Sequence, residues 1–327
     1  MVGLDVNATP SSLDDLVEDR HVGGVILLGG WHSGSGPVTA ATGHLNSLTR
    51  TSEPGLLIAA DQEGGNVQQL RGSGFTRLPT ARAQQQLPPG QLMALAKTSA
   101  TELRRAGINV NLAPVADTVP ADLGRANDPI GQWDRQFSSD PNEVARAVGA
   151  FVKGMHRGGV AATVKHFPGI GRITGNTDLT SEGITDTTTT ATDRYLRPFA
   201  SAIRAGADLV MVGSAIYSRI DPGVNATFSS RIIGGMLRRD LGYDGVVITD
   251  DVGAAKAVSG TPVGQRATKF VEAGGDIVLT ARPGTVPAMH DALLERMSRS
   301  ATFADKVRTS AERVLTLKVR RDLTTCD

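Results

Sequence analysis

Eight short apolar runs recur along the chain, each bounded by glycine or a polar residue. They fall at 1–6, 23–29, 56–61, 108–117, 160–167, 208–215, 245–251 and 276–281. Most, such as Val25-Ile26-Leu27-Leu28 and Val246-Val247-Ile248, are hydrophobic on consecutive residues rather than alternate ones. A strand needs that pattern when both of its faces are buried, as in a parallel sheet covered by helices. Amphipathic stretches of helical length separate the runs, among them 90–106, 141–157, 193–205 and 229–240. Pro141-Asn142-Glu143 behind Asp140 is a helix start signal, and Gly158-Gly159 is a stop signal. Strands and helices alternating eight times predict an α/β chain closed as a (β/α)8 barrel. A doubly wound open sheet is the rival, but eight units without a break in composition favour closure. No linker, short repeat or low-complexity tract beyond Thr187–Thr190 divides the chain, so residues 1–327 are expected to form one domain.

Composition removes several functional classes. Lys+Arg (34) and Asp+Glu (33) nearly cancel, which leaves no basic field to hold nucleic acid or an anionic membrane. Hydrophobic residues at 40% and charged residues at 20% argue against disorder. No run approaches the ~18 apolar residues of a membrane span. With aromatics at 4% and 38 glycines, the core must come from Val, Ile, Leu and Ala joined by tight turns. Cys326 is the sole cysteine, so no internal disulfide can form. The chain is expected to be a monomer. No cleavable leader is visible, since Met1–Val6 already reads as a strand. The expected location is the cell envelope if an anchor was trimmed ahead of Met1, and the cytoplasm otherwise.

Chemistry in such a barrel gathers where the strands end. Here the ends are polar: Asp61, Asp117, Lys165-His166, Ser214 and Asp250-Asp251. A single Asp behind a strand reads equally well as a helix cap, but several converging on one rim need something to bind. In Asp61-Gln62-Glu63-Gly64-Gly65-Asn66-Val67 the paired glycines allow close backbone approach, and the carboxylates can accept from hydroxyl groups. Lys165 and His166 can donate to a polar ligand. Lys165 could also be a Schiff-base amine, which would require a lowered pKa. Residues 168–192 form a long Gly- and Thr-rich loop carrying Asn176, Asp178, Glu182 and Asp186, able to bring an acid over the mouth. At Asp250-Asp251 one carboxylate can face the mouth while its neighbour holds backbone donors. An inward Asp250 and a loop acid would make the two-carboxylate arrangement of a retaining glycosidase. No metal or other cofactor is expected, because the six histidines form no ligand-spaced cluster.

Together these motifs resemble the family 3 glycoside hydrolases, in particular the single-domain bacterial β-N-acetylglucosaminidases. The resemblance runs from about 20 to 320. It rests on Asp61–Gly65, on Asn111–Asp117, on Ile130-Gly131 leading to Arg135-Gln136-Phe137, on Lys165–Gly169 and on Gly242–Asp251. It implies removal of terminal β-linked N-acetylglucosamine, typically from cell-wall fragments, by a retaining mechanism. The expected partners are N-acetylglucosamine-containing saccharides. Asp250 would be the nucleophile, and Asp61, Arg135, Lys165 and His166 would hold the sugar hydroxyls. The sequence departs from the family on the long loop. Ile170 stands in place of a histidine, and the usual Asp-x-His acid/base dyad reads Asn176-Thr177-Asp178. Asp178 occupies the position of the dyad histidine and can protonate the leaving oxygen if burial raises its pKa. Asn66 and Gln69 stand where the family often has arginines. An alternative function is a sugar-binding protein on the same scaffold, impaired by loss of the dyad.

Overall fold

The computed structural model describes residues 1–49 and 53–325; Cys326 lies outside them. The barrel strands are β1 (Val2–Asp5), β2 (Gly24–Leu28), β3 (Leu57–Ala60), β4 (Val110–Asn111), β5 (Ala161–Phe167), β6 (Leu209–Val212), β7 (Val246–Asp251) and β8 (Ile277–Leu279). They pair in parallel and in chain order as one eight-stranded sheet. A bridge between Val2 and Thr280 returns β8 to β1, with Gly3 N donating to Thr280 O at 2.8 Å. The expected (β/α)8 barrel is therefore the fold, and the open sheet is excluded.

A helix follows every strand: α1 (Asp14–Glu18), α2 (Ser35–Ser47), α3 (Pro89–Arg105), α4 (Pro141–Arg157), α5 (Arg197–Arg204), α6 (Arg231–Asp240), α7 (Val263–Ala273) and α8 (Val286–Arg299). A further helix, α9 (Ala301–Arg320), follows α8, and a single turn, Ala81–Gln84, lies in the connection between β3 and α3. α4 begins where expected, because Asp140 caps it by accepting from Asn142 N at 2.9 Å. α6 is wound as a π-helix.

Side chains divide by strand parity. Ile26, Leu57, Ala59, Val110, Ala161, Leu209, Met211, Val246 and Ile248 fill the barrel, with Leu317 of α9 packed against them. Their neighbours Val25, Leu27, Ile58, Ala60, Val164, Val210 and Val247 pack outward under the helices. The 108–117 run departs from expectation, with β4 covering just Val110–Asn111. Pro114 lacks an N–H for the ladder. The segment rejoins β5 through a bridge between Val115 and Lys165.

Candidate active site

Parity aims the polar strand ends. Leu57 and Ala59 fill the barrel, so Asp61 continues on the inner side. The same rule carries β5 from Ala161 to Lys165 and β7 from Val246 and Ile248 to Asp250. Asp251 faces the other way, accepting through Oδ1 from Gly253 N (2.8 Å), Ala254 N (3.3 Å) and Ala281 N (2.9 Å). Asp251 is thus spent on three backbone donors, while Asp250, whose Oδ1 accepts from Asp251 N at 2.9 Å, ends the strand at the mouth.

Four of the charged groups interlock. Lys165 Nζ lies 2.5 Å from Asp61 and 2.7 Å from Glu63. Arg135 holds Glu63 in a bidentate pair at 2.8 and 2.9 Å and donates to Pro129 O at 2.8 Å. Burial alone would raise the Glu63 pKa, but Arg135 and Lys165 outweigh it and hold the carboxyl at about 2. Burial likewise opposes charge on Lys165, yet Asp61 and Glu63 raise it above the usual lysine value. A Schiff-base amine needs the opposite shift, so that reading of Lys165 is discarded.

From sequence Glu63 reads only as a carboxylate able to accept from hydroxyl groups, not as the partner that holds Arg135 and Lys165. The signal was its i+2 spacing from Asp61, which puts both carboxylates on one side of an extended segment. Gly64 and Gly65 then turn the chain at φ 108° and 55°, and a Cβ on Gly64 would meet Pro79 O at 2.3 Å. Removing the charge of Glu63 leaves two buried cations short of a partner. Glu63→Gln is expected to destabilise the fold by roughly 3–5 kcal/mol, read as a drop in Tm. The pKa of Glu63 is depressed on folding, so its contribution is full above 4.5 and is lost as pH falls towards about 2. The Tm deficit of the variant should therefore shrink with acidification over that window.

His166 is oriented by Asp117, whose Oδ2 lies 2.7 Å from Nδ1. Asp117 is fully buried and also accepts from Ile170 N at 2.7 Å. This carboxylate, seen in the sequence as a polar strand end, is a positioning residue. It engages Nδ1 and leaves Nε2 as the ring atom available to a ligand.

The 168–192 loop is anchored rather than loose. Thr185–Asp186 pairs in parallel with Ile216–Tyr217, and the Asn127 amide donates to Ile170 O and Ile173 O at 2.9 and 2.7 Å. Asp186 is buried in its own turn, accepting from Thr188 N, Thr189 N and Thr189 Oγ1 at 2.5 to 2.8 Å, and brings no acid to the mouth. Glu182 is exposed. Asp178 is placed by main-chain bonds to the segment after β7: Lys256 N donates to Asp178 O (3.2 Å) and Ala257 N to Thr177 O (3.0 Å). Its carboxyl is pushed up to about 7, first by burial and then by repulsion from Asp250, against the attraction of His166. The residue itself is exposed: the carboxyl stands in a concave mouth, where surrounding protein mass thins its hydration without sealing it off, so the upward direction of the shift rests as much on the facing Asp250 charge as on burial. Gln69 is spent on accepting from Gly30 N at 2.9 Å, and Asn66 is exposed; neither joins the ion network.

Comparison with known proteins identifies this scaffold. The family described as "Glycosyl hydrolase family 3 N terminal domain" matches residues 3–317. The chain belongs to glycosyl hydrolase family 3. A relative from Stenotrophomonas maltophilia (strain K279a), called a beta-hexosaminidase, is 38% identical over 299 residues, covering 89% of this chain and 85% of its own. The crystal structure of a beta-N-acetylhexosaminidase from Beutenbergia cavernae superposes with a TM-score of 0.94 at 44% identity, covering 97% of this chain and 95% of that one. A family 3 beta-N-acetylglucosaminidase from Paenibacillus sp. str. FPU-7 gives a TM-score of 0.86 at 32% identity, over all of this chain and 62% of its own. As a family 3 protein the chain is a glycoside hydrolase. Among the described residues, no cluster of His, Cys, Asp or Glu is arranged to hold a metal ion, and no helix is long and apolar enough to cross a membrane.

Proposed function

We propose that this hydrolase is a retaining β-N-acetylhexosaminidase that removes terminal β-linked N-acetylglucosamine. The observation that carries the reading is Asp178, a carboxyl raised to about 7 and held over the rim where Asp250 ends β7. One carboxyl is shifted up to about 7 on the loop facing a second that ends β7 at the mouth, and such a difference of environment is what divides the work of acid and nucleophile. The names of the relatives, hexosaminidases and an N-acetylglucosaminidase, support the choice of sugar. Fragments of cell-wall peptidoglycan are the proposed natural source, on the family resemblance.

In this mechanism Asp250 Oδ attacks the anomeric carbon while Asp178 gives its proton to the departing oxygen. A covalent glycosyl-enzyme forms and the alcohol leaves. Asp178, now a carboxylate, removes a proton from water. That water displaces Asp250 and releases the sugar with its β configuration kept. Asp61, Arg135, Lys165 and His166 hold the sugar hydroxyls, with Glu63 and Asp117 fixing the donors.

The test is hydrolysis of a chromogenic β-N-acetylglucosaminide against a β-glucoside control, followed across pH. Only protonated Asp178 serves the first step. On an unactivated substrate kcat/KM should hold below about 7 on the alkaline side and fall tenfold per unit above it. Release from the glucoside alone, or no release from either, sinks the proposal.

A further inference from the structure

Among the described residues four large apolar side chains stand out into solvent: Trp133 at 42%, Leu179 at 72%, Leu294 at 52% and Leu315 at 41%. Leu294 and Leu315 lie on the outer helices α8 and α9. The other two lie on the rim loops. Leu179 directly follows Asp178, and Trp133 precedes Arg135 by two residues, which keeps their Cα atoms within about 7 Å. The two loops are tied together by Asn127. Its amide donates to Ile170 O and Ile173 O, and its Oδ1 accepts from Ile130 N and Gly131 N at 3.1 and 2.7 Å. Gly131–Trp133 is a short helical turn ended by Asp134 at φ 53°, so the indole is carried on a fixed corner.

The chemistry says what passes this corner. A group that protonates the glycosidic oxygen must touch it, so with Asp178 as the acid the leaving group would start beside Asp178 and Leu179, on the side where Arg135, two residues after Trp133, lies close enough for its charge to act on Asp178. We propose that Trp133 and Leu179 form the platform for the leaving group, and that the leaving group they select is a second sugar ring. This rests on Asp178 being the acid. A pyranose offers a C–H face to an indole while its hydroxyls stay in water. The flanks of Trp133 suit such an amphipathic ring: Arg82 and Arg125, exposed at 58% and 72%, sit 3.9 and 3.6 Å from Asp134.

The experiment compares two substrates with the same glycosyl group. β-N-acetylglucosaminyl fluoride has no leaving ring, and the β-linked disaccharide of N-acetylglucosamine has one. Trp133→Ala should lose about tenfold in kcat/KM on the disaccharide, the scale of one ring stack, with less than a twofold change on the fluoride. Trp133→Phe should recover most of the loss. Equal losses on both substrates, or none on the disaccharide, overturn the platform. A second readout needs no turnover. The protein has two tryptophans, and Trp31 is 6% exposed, so iodide quenching reports Trp133. The S-linked disaccharide should protect it from iodide and free N-acetylglucosamine should not. Absence of protection overturns the proposal. Wild-type protein that cleaves neither substrate would sink the glycosidase reading instead, and the quenching result would still decide whether a sugar ring meets Trp133.

Discussion

Asp250→Ala is expected to lower turnover by roughly four to six orders of magnitude, the scale seen when a catalytic nucleophile is removed. The loss is large because the covalent route disappears altogether. No other carboxylate takes its place: Asp251 is committed to three backbone donors, and Asp61 is paired with Lys165. Steady-state rates on an aryl β-N-acetylglucosaminide give the magnitude, and peptide mapping after labelling with a fluorinated sugar gives the residue. Added azide should attack from the side vacated by the carboxylate and give an α-glycosyl azide. A label on any residue but Asp250 would move the nucleophile elsewhere.

Asp178→Ala should produce a different pattern. An unactivated substrate needs its oxygen protonated, so hydrolysis of a natural disaccharide is expected to fall by roughly 100- to 10,000-fold. An aryl glycoside with a good leaving group needs little help to form the intermediate and should keep much of its first-step rate. Breakdown of the intermediate still needs a base to activate water, so the glycosyl-enzyme should accumulate as a burst. Azide needs no base and should restore turnover, giving a β-glycosyl azide because the intermediate on Asp250 is intact. Unchanged rates on both substrates would remove the role from Asp178. The acid would then be sought at Glu182, since the ring of His166 is held by Asp117.

The barrel was legible because its strands are buried on both faces, and that demand writes near-continuous apolar runs such as Val246-Val247-Ile248. The limits of strand four were not, because hydrophobicity continues past the point where Pro114 interrupts the ladder. Inward direction was legible for Asp250, where alternation from Val246 and Ile248 sets it. The ion-pairing role of Glu63 was missed because it depends on Arg135 and Lys165, distant in sequence and brought together only by closure of the barrel. The long loop was visible as a carrier of acids. Its anchoring to Ile216–Tyr217 and to Lys256 and Ala257 was not, because main-chain hydrogen bonds leave no trace in side-chain identity.

Those main-chain bonds separate where the proposed proton donor stands from which donor it is. Thr177 and Asp178 are held through their carbonyl oxygens by the amides of Ala257 and Lys256, so a new side chain at position 178 breaks neither link. The segment works as a socket that accepts different plugs. An imidazole placed there by Asp178→His would inherit the same perch over the strand-seven rim. The chemical identity of a donor at this address could therefore change while the address stays fixed, which would let a carboxyl serve where the family resemblance implies a histidine.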